Sequence, residues 1–255
     1  MSPTRVERVR MRARDHREAY DLWATHFDDP ALMANRDART TLGKIENVAR
    51  QLPLERGSRV LDVGPGDGAL FRIIGGRVCH CHGVDPSVHA VARLNALFRD
   101  APNVEFAVGS ADALPYRDAA FDVVVINSVL HCLPSAEVVE KSLAEIVRVS
   151  RPGGTIFVGE MPFRSELSRG VATHMARKLR EYGPRVYSRL LYHVYIRPFL
   201  RGEGVVLYPA TNLHFPEADF GAMCRRFGVS VECRRHQEPR RLSLTRNDYL
   251  LRLPS

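Results

Sequence analysis

Apolar residues recur along the chain in two different periods. Leu42, Ile45, Ala49 and Leu52 stand three or four residues apart and form one stripe of a helix over Arg39 to Leu52. A second helix is expected over Arg14 to His26. From residue 59 onward the pattern changes to short apolar runs, at Arg59 to Val63, Val78 to Val84, Val104 to Val108, Asp122 to Ile126 and Thr155 to Gly159. Each run has the length of a strand, and helix-like segments such as Ala69 to Ile74 separate them. Strands alternating with helices predict an α/β fold with a doubly wound, mostly parallel sheet. A closing pair of strands is expected near Val229 to Arg234 and Ser243 to Leu251. Between the fifth strand and that pair, residues 164 to 201 are helix-like and rich in arginine and tyrosine. The expected organisation is a single domain: N-terminal helices over 1–57, a core over 58–163, an insertion over 164–220 and closing strands over 221–255. No internal repeat or low-complexity segment interrupts it.

The first strand ends in Val60-Leu61-Asp62-Val63-Gly64-Pro65-Gly66-Asp67-Gly68. Glycines lack a Cβ and enter positive φ, so a turn of this kind brings main-chain N–H groups close to a bound molecule. The apolar residues that follow begin a helix whose N-terminus faces the same point. Alone, the turn suits a dinucleotide, another ligand or a tight loop equally. The second strand ends at Asp85, about twenty residues on, at the spacing of a ribose-binding acid. Pro86 stops that strand and Ser87 suits a helix cap, which leaves the Asp85 carboxylate at the sheet's carboxyl edge. The structural alternative for Asp85 is a second helix cap. The glycines of Gly64-Pro65-Gly66-Asp67-Gly68 follow GxGxG, not GxGxxG, and Asp67 would repel a pyrophosphate.

Composition narrows the setting. A chain of 255 residues with 45% hydrophobic content is long enough to bury a sizeable α/β core. No apolar run approaches the ~20 residues that cross a bilayer, and Met1 to Arg14 lacks the apolar centre of a signal peptide. Five cysteines without framework spacing suggest a reducing, cytoplasmic compartment. Cys79-His80-Cys81-His82 invites a metal reading, but successive strand residues point to opposite faces and do not converge on one ion, so no metal is expected.

Charge is uneven. Residues 1–57 hold 11 basic and 9 acidic residues, 58–163 hold 9 and 12, and 164–255 hold 17 and 8. The C-terminal excess suits an anionic acceptor or surface, and it is equally consistent with a solvated arginine-rich face. Leu190 to Leu200, with Tyr192, Tyr195, Ile196 and Phe199 beside Arg189 and Arg197, suits either peripheral membrane contact or packing as core or cap.

Four landmarks occur in order: Leu61 to Gly68; Gly83-Val84-Asp85-Pro86-Ser87; Gly109-Ser110-Ala111-Asp112-Ala113-Leu114-Pro115-Tyr116 with Phe121-Asp122-Val123-Val124; and Arg148-Val149-Ser150-Arg151-Pro152-Gly153-Gly154. Together, over about residues 58 to 160, they resemble a class I S-adenosylmethionine-dependent methyltransferase of the type 11 branch. The resemblance implies a seven-stranded Rossmann-like sheet with a helical cap insertion over the acceptor pocket. It implies that Asp62, Gly64, Pro65, Gly66 and Gly68 hold the methionine part of S-adenosylmethionine. It places both ribose hydroxyls on Asp85, beside Pro86, and adenine on Ser110, Ala111 and Asp112. One carboxylate accepts both donors of a vicinal diol, while adenine N6 needs an acceptor and N1 a donor such as the Ala111 N–H. Many relatives have aspartate where this chain has Ser110, so the N6 contact falls to Asp112 or to the serine hydroxyl. Asn127, just after the fourth expected strand, completes the implied cofactor set.

His131, in Asn127-Ser128-Val129-Leu130-His131-Cys132, matches the first histidine of a Leu-His-His pattern frequent in such enzymes. An imidazole suits proton transfer near neutral pH, and helix packing is its structural alternative. Glu160, ending the fifth strand, is the other candidate base. Tyr20, Trp23, His26, His193 and His214 are candidates to line the acceptor pocket. Methyl transfer to oxygen or nitrogen of a small molecule (a sugar, lipid-linked glycan or secondary metabolite) is the leading expectation. An RNA methyltransferase is the alternative, weakened by the absence of Asn-Pro-Pro-Tyr and Pro-Cys motifs and of an RNA-binding module. A non-enzymatic S-adenosylmethionine-binding protein is the third possibility.

Overall fold

The computed structural model describes residues 18, 21, 38–163, 176, 179, 180, 183–185, 188, 192, 213–235 and 246–255. The described elements run α1 (Ala38–Gln51), β1 (Arg59–Val63), α2 (Ala69–Ile74), β2 (His80–Asp85), α3 (Val88–Leu97), β3 (Val104–Val108), β4 (Phe121–Asn127), α4 (Ala136–Val149), β5 (Ser150–Pro162), α5 (Glu217–Arg225), β6 (Ser230–Arg235) and β7 (Arg246–Arg252). A short 3₁₀ turn, Leu130–Cys132, sits between β4 and α4.

Seven strands form one sheet in the order β3-β2-β1-β4-β5-β7-β6. The first five pair in parallel, and β7 is antiparallel to both β5 and β6. The strand order therefore reverses between β1 and β4, where an open α/β sheet leaves a crevice at its carboxyl ends. Both faces of the central strands are covered, which is why their sequences read as nearly continuous apolar runs. Val60, Val123, Val125, Phe157 and Leu250 pack on one face with Val48 and Ala49 of α1, Leu52 just after it, and Leu70, Phe71 and Ile74 of α2. Leu61, Val124, Ile126, Ile156 and Tyr249 pack on the other with Leu143 and Ile146 of α4 and Phe220 of α5.

The strands depart from their expected bounds in instructive places. β2 begins at His80, while the preceding Val78 is buried without joining the ladder. β5 runs from Ser150 to Pro162, longer than the apolar run, and its pairing with β7 is irregular between Val158 and Met161. Of the helix expected over Arg14 to His26, Glu18 and Asp21 are helical, and the remainder lies outside the described residues. Tyr20, Trp23, His26 and His193, most of the 164–201 insertion and the first residues of the last expected strand also lie outside them. Among the described residues no helix is long and apolar enough to cross a membrane.

Candidate functional site

The glycine turn follows β1 directly. Gly64, Gly66 and Gly68 all have positive φ, at 76°, 61° and 73°. They are needed for different reasons. A Cβ on Gly64 would lie 2.5 Å from Val129 Cγ2, and one on Gly68 would lie 2.5 Å from the Phe98 ring. A Cβ on Gly66 would meet nothing within 4 Å, so this residue faces open space at the turn's crest. The Gly64 N–H donates to the Val84 carbonyl at 2.8 Å and the Gly68 N–H to buried Pro65 at 2.9 Å, which fixes the loop against β2. Asp67 is spent locally: Oδ1 accepts the Ala69 N–H at 3.0 Å and Oδ2 pairs with Arg72 at 2.7 Å.

Adjacent strands end together around this turn. Val63 pairs with Val84, Asp85 pairs with Val108, and the Gly109 N–H donates to the Asp85 carbonyl at 3.1 Å. Asp62, buried in β1, has its carboxyl pushed up to about 7 by burial and by the neighbouring charges of Asp67 and Asp85. Burial likewise pushes Asp85 up to about 6, although its carboxylate accepts the Ser87 N–H at 2.9 Å. Ser87, not Asp85, caps α3, since its hydroxyl accepts the Ala90 N–H at 3.1 Å. Pro86 stands between them, half-buried.

Beyond β3, the Ser110 hydroxyl donates to Asp112 Oδ1, and the Ala113 N–H donates to the Ser110 carbonyl at 2.9 Å. Ser110 and Ala111 are buried there, while Asp112 is partly exposed. Arg148, which the sequence reading left without a role, braces this loop from α4. Its guanidinium donates to the Tyr116 carbonyl at 2.8 Å and the Leu114 carbonyl at 3.2 Å, and it pairs with Glu145 and Asp118, both at 2.7 Å. Glu145 in turn accepts the Leu114 N–H at 2.8 Å.

The ends of β4 and β5 carry the second half of the site. Asn127 pairs with Gly159, and a Cβ at Gly159 would collide with Asn127 Oδ1, so the two residues touch only because one is glycine. Among the described residues, that buried oxygen accepts no hydrogen bond. Next along each strand, Ser128 and Glu160 hold positive φ at 62° and 57°. Non-glycine residues in this region are costly and persist where surrounding structure holds them. The Ser128 N–H donates to the Gly159 carbonyl at 3.1 Å, and the Glu160 N–H donates to Asp248 Oδ1 at 2.8 Å.

Glu160 is fully buried and pairs with Lys44 of α1 at 3.4 Å and with Arg246 of β7 at 3.1 Å. His131 is buried on the 3₁₀ turn, and its carbonyl accepts the Leu213 N–H at 2.9 Å. The Phe215 N–H similarly donates to the Pro162 carbonyl at 2.9 Å. The chain that follows Phe163 therefore returns, at Leu213 and Phe215, to the edge formed by β4 and β5. His214, the candidate between them, is exposed.

The structure thus brings Asp62, Gly64, Pro65, Gly66, Gly68, Asp85, Pro86, Ser110, Ala111 and Asp112 to the ends of β1, β2 and β3. Asn127, His131 and Glu160 lie at the ends of β4 and β5. Sequence reasoning missed Lys44, Arg246 and Asp248; the available signal was a lysine inside the apolar stripe of α1. Cys81 is buried toward the face of Val60, whereas the rings of His80 and His82 stand 6.3 Å apart on the other. Among the described residues, no group of three or more His, Cys, Asp or Glu side chains is placed to hold a metal.

The residues present fit S-adenosylmethionine. An open glycine crest, a buried carboxylate at the end of β1, a second at the end of β2 and an acceptor-only oxygen on Asn127 suit a ligand with an ammonium, a sulfonium and a vicinal diol. A family profile described as a methyltransferase domain matches residues 61–158. Phthiotriol/phenolphthiotriol dimycocerosates methyltransferase 1 of Mycobacterium ulcerans is 32% identical over 169 residues, which cover 64% of this chain and 60% of that one. The 27-O-demethylrifamycin SV methyltransferase of Amycolatopsis mediterranei is 34% identical over 137 residues, covering 52% and 48%. The chain thus spans about half to three fifths of the length of these relatives. Phosphoethanolamine N-methyltransferase 1 of Haemonchus contortus, solved with phosphoethanolamine and S-adenosylhomocysteine, shares the fold at a TM-score of 0.65 and 15% identity, over 93% of this chain and 48% of that one. The profile match over residues 61–158, the four landmarks and the reversed strand order with its antiparallel β7 make this chain similar to class I S-adenosylmethionine-dependent methyltransferases in fold and in the stretch that follows β1.

Proposed function

We propose that this protein transfers a methyl group from S-adenosylmethionine to an oxygen or nitrogen of a small molecule, a lipid or a secondary metabolite. The observation that carries the proposal is the convergence, on one sheet edge, of the open glycine crest, Asp85 and the buried Asn127 oxygen. The names of the relatives, which act on phthiotriol/phenolphthiotriol dimycocerosates and on 27-O-demethylrifamycin SV, support a small-molecule or lipid acceptor.

Bound S-adenosylmethionine supplies the electrophilic methyl group, so the protein's work is alignment and the exclusion of water. In this proposal Asp85 accepts both ribose hydroxyls. Asp62 and the glycine turn face the cationic methionine end, and Asn127 Oδ1 accepts an ammonium proton. Ala111 and the linked Ser110–Asp112 pair border adenine, with Asp112 the acidic partner for N6 and Arg148 holding the loop.

His131 is the candidate base. It is buried beside the β4 edge, and its turn is tied to the returning chain through Leu213. Glu160 is less suited to that role, since its carboxylate already lies between Lys44 and Arg246. An amine acceptor needs no base for its attack, whereas a hydroxyl benefits from one. His131→Gln should therefore lower kcat with a hydroxyl acceptor by about a hundredfold or more.

Transfer of a labelled methyl group from S-adenosylmethionine to a panel of hydroxylated polyketides, glycolipids and small amines tests the proposal. In parallel, calorimetry should show Asp85→Ala weakening cofactor binding by about 1.5 to 3 kcal/mol, the range for hydrogen bonds to a charged group. Failure of the folded wild type to bind the cofactor at millimolar concentration would overturn the reading. Binding without transfer to any acceptor would favour a non-enzymatic role, and transfer to RNA alone would favour the nucleic-acid alternative.

A further inference from the structure

Ser87 is the most heavily used side chain at the ribose edge, and only 1% of it is exposed. Its N–H donates to Asp85 Oδ1 at 2.9 Å, and its hydroxyl oxygen accepts the Ala90 N–H at 3.1 Å. The hydroxyl proton goes to a residue far upstream, Asp21 Oδ1, at 2.7 Å. A serine hydroxyl has one donor and two lone pairs, so the two contacts use different capacities and together fix its orientation. The same Asp21 oxygen accepts the His89 N–H at 3.4 Å, and the His89 ring Nδ1 lies 3.1 Å away. Asp21 thus helps satisfy the first amides of α3 and places a carboxylate at that helix's positive end. It belongs to none of the four sequence landmarks.

We propose that Asp21 is a cofactor-positioning residue: by holding Ser87 and the first turn of α3 it fixes Asp85 for the ribose hydroxyls, and it stands beside Asp85 as a like charge. The proposal rests on the reading of Asp85 as the ribose acceptor. Its geometric half is the chain of hydrogen bonds from Asp21 through Ser87 to Asp85. Its electrostatic half follows from like charge, since ionising Asp85 beside an already ionised Asp21 is less favourable than ionising it alone. Among the described residues, other charged groups act on this pair. Arg93 of α3 favours ionised Asp85, Asp62 of β1 couples to it with like charge, and His89 of α3 pairs with Asp21 when protonated. A diol's two hydrogen bonds are stronger to an ionised carboxylate than to its protonated form, so cofactor affinity should rise with pH through the range in which Asp85 loses its proton.

Two substitutions separate the halves. Asp21→Asn keeps a side-chain oxygen that accepts from Ser87 and His89 but removes the charge. Asp21→Ala removes both. With S-adenosylhomocysteine as the probe and calorimetry from pH 5 to 8.5, Asp21→Asn should retain affinity within about twofold at pH 8 and shift the affinity midpoint to lower pH. Asp21→Ala should lose about tenfold at pH 8, the scale of one hydrogen bond to a charged group. The double variant Asp21→Ala/Ser87→Ala should bind no worse than Ser87→Ala, because both substitutions break one chain of contacts. A purely structural Asp21 would lower Tm and leave the midpoint and the affinity of folded protein unchanged, which overturns the proposal. If the wild type binds no S-adenosylhomocysteine at any pH, the ribose-site reading itself has failed; if it binds and Asp21→Asn keeps the wild-type midpoint, only the role of Asp21 has.

Discussion

Asp62, placed in the proposed cofactor site, carries a stability cost that can be worked out from its surroundings. Its folded carboxyl titrates at about 7 against an ordinary value of 3.8, because burial and the charges of Asp67 and Asp85 disfavour the anion. The folded protein then holds more protons than the unfolded chain between those two values, so stability is greatest at the acid end and falls as pH rises toward neutrality. Asp62→Asn abolishes that term. Scanning calorimetry should find the ligand-free variant more stable than wild type at pH 8 and nearly unchanged at pH 4, while S-adenosylmethionine binds it more weakly. A Tm at pH 8 below that of the wild type would show that the charge is compensated in the free protein. Gly66 supplies a complementary case at the same turn. Its Cβ direction is open, but its φ of 61° is unfavourable for a branched side chain. Gly66→Val should therefore abolish cofactor binding, seen as loss of a calorimetric signal, with the circular dichroism of the fold largely kept.

At the scale of elements, three separate pieces of chain meet at Glu160: α1 through Lys44, β5 through Glu160 itself and β7 through Arg246 and Asp248. The meeting point coincides with the irregular β5–β7 pairing and with the positive φ of Glu160, so the ionic cluster holds a bend that the ladder does not. Breaking a buried pair by removing one partner leaves an uncompensated charge and costs about 3 to 5 kcal/mol. Glu160→Gln should lower stability on that scale by denaturant unfolding, and Lys44→Met/Glu160→Gln should recover part of the loss by restoring charge balance. Equal stability of Glu160→Gln and wild type would mean that the cluster is not what holds the bend. A Glu160 acting mainly as a base would instead give a variant that is stable but slow.

At the scale of the whole molecule, the basic excess lies in the C-terminal 92 residues, from 164 onward, while residues 58–163 are slightly acidic. Arg185, in that region, is exposed. If these arginines attract an anionic acceptor through solvent, charge reversal at Arg185 and Arg189 should leave S-adenosylmethionine affinity nearly unchanged and weaken the acceptor. Raising ionic strength should weaken it too, since screening shortens to roughly 8 Å near physiological salt. Steady-state KM values for both substrates across a salt series check this. An acceptor KM indifferent to salt and to both substitutions would assign the arginines to a solvated face.

The sequence alone determined where β1 and β3, two of the elements that carry the proposed cofactor site, begin and end. Strand-length apolar runs, a glycine turn and Asp85 at its spacing are local features whose chemistry depends on near neighbours, so they are legible before the chain is folded. Thus β1, β3 and the end of β2 lie where the pattern predicts, and Ser87 caps its helix as its place after Asp85 and Pro86 suggests. Only the tertiary structure decided the rest. The antiparallel insertion of β7 between β5 and β6 depends on how faces are covered, not on any local period. Lys44 and Glu160 are 116 residues apart and Asp21 and Ser87 are 66 apart, and no sequence spacing announces such pairs. Their partners are selected by burial: a charged or polar group taken out of water must find a counterpart, and the fold alone determines which one lies within reach.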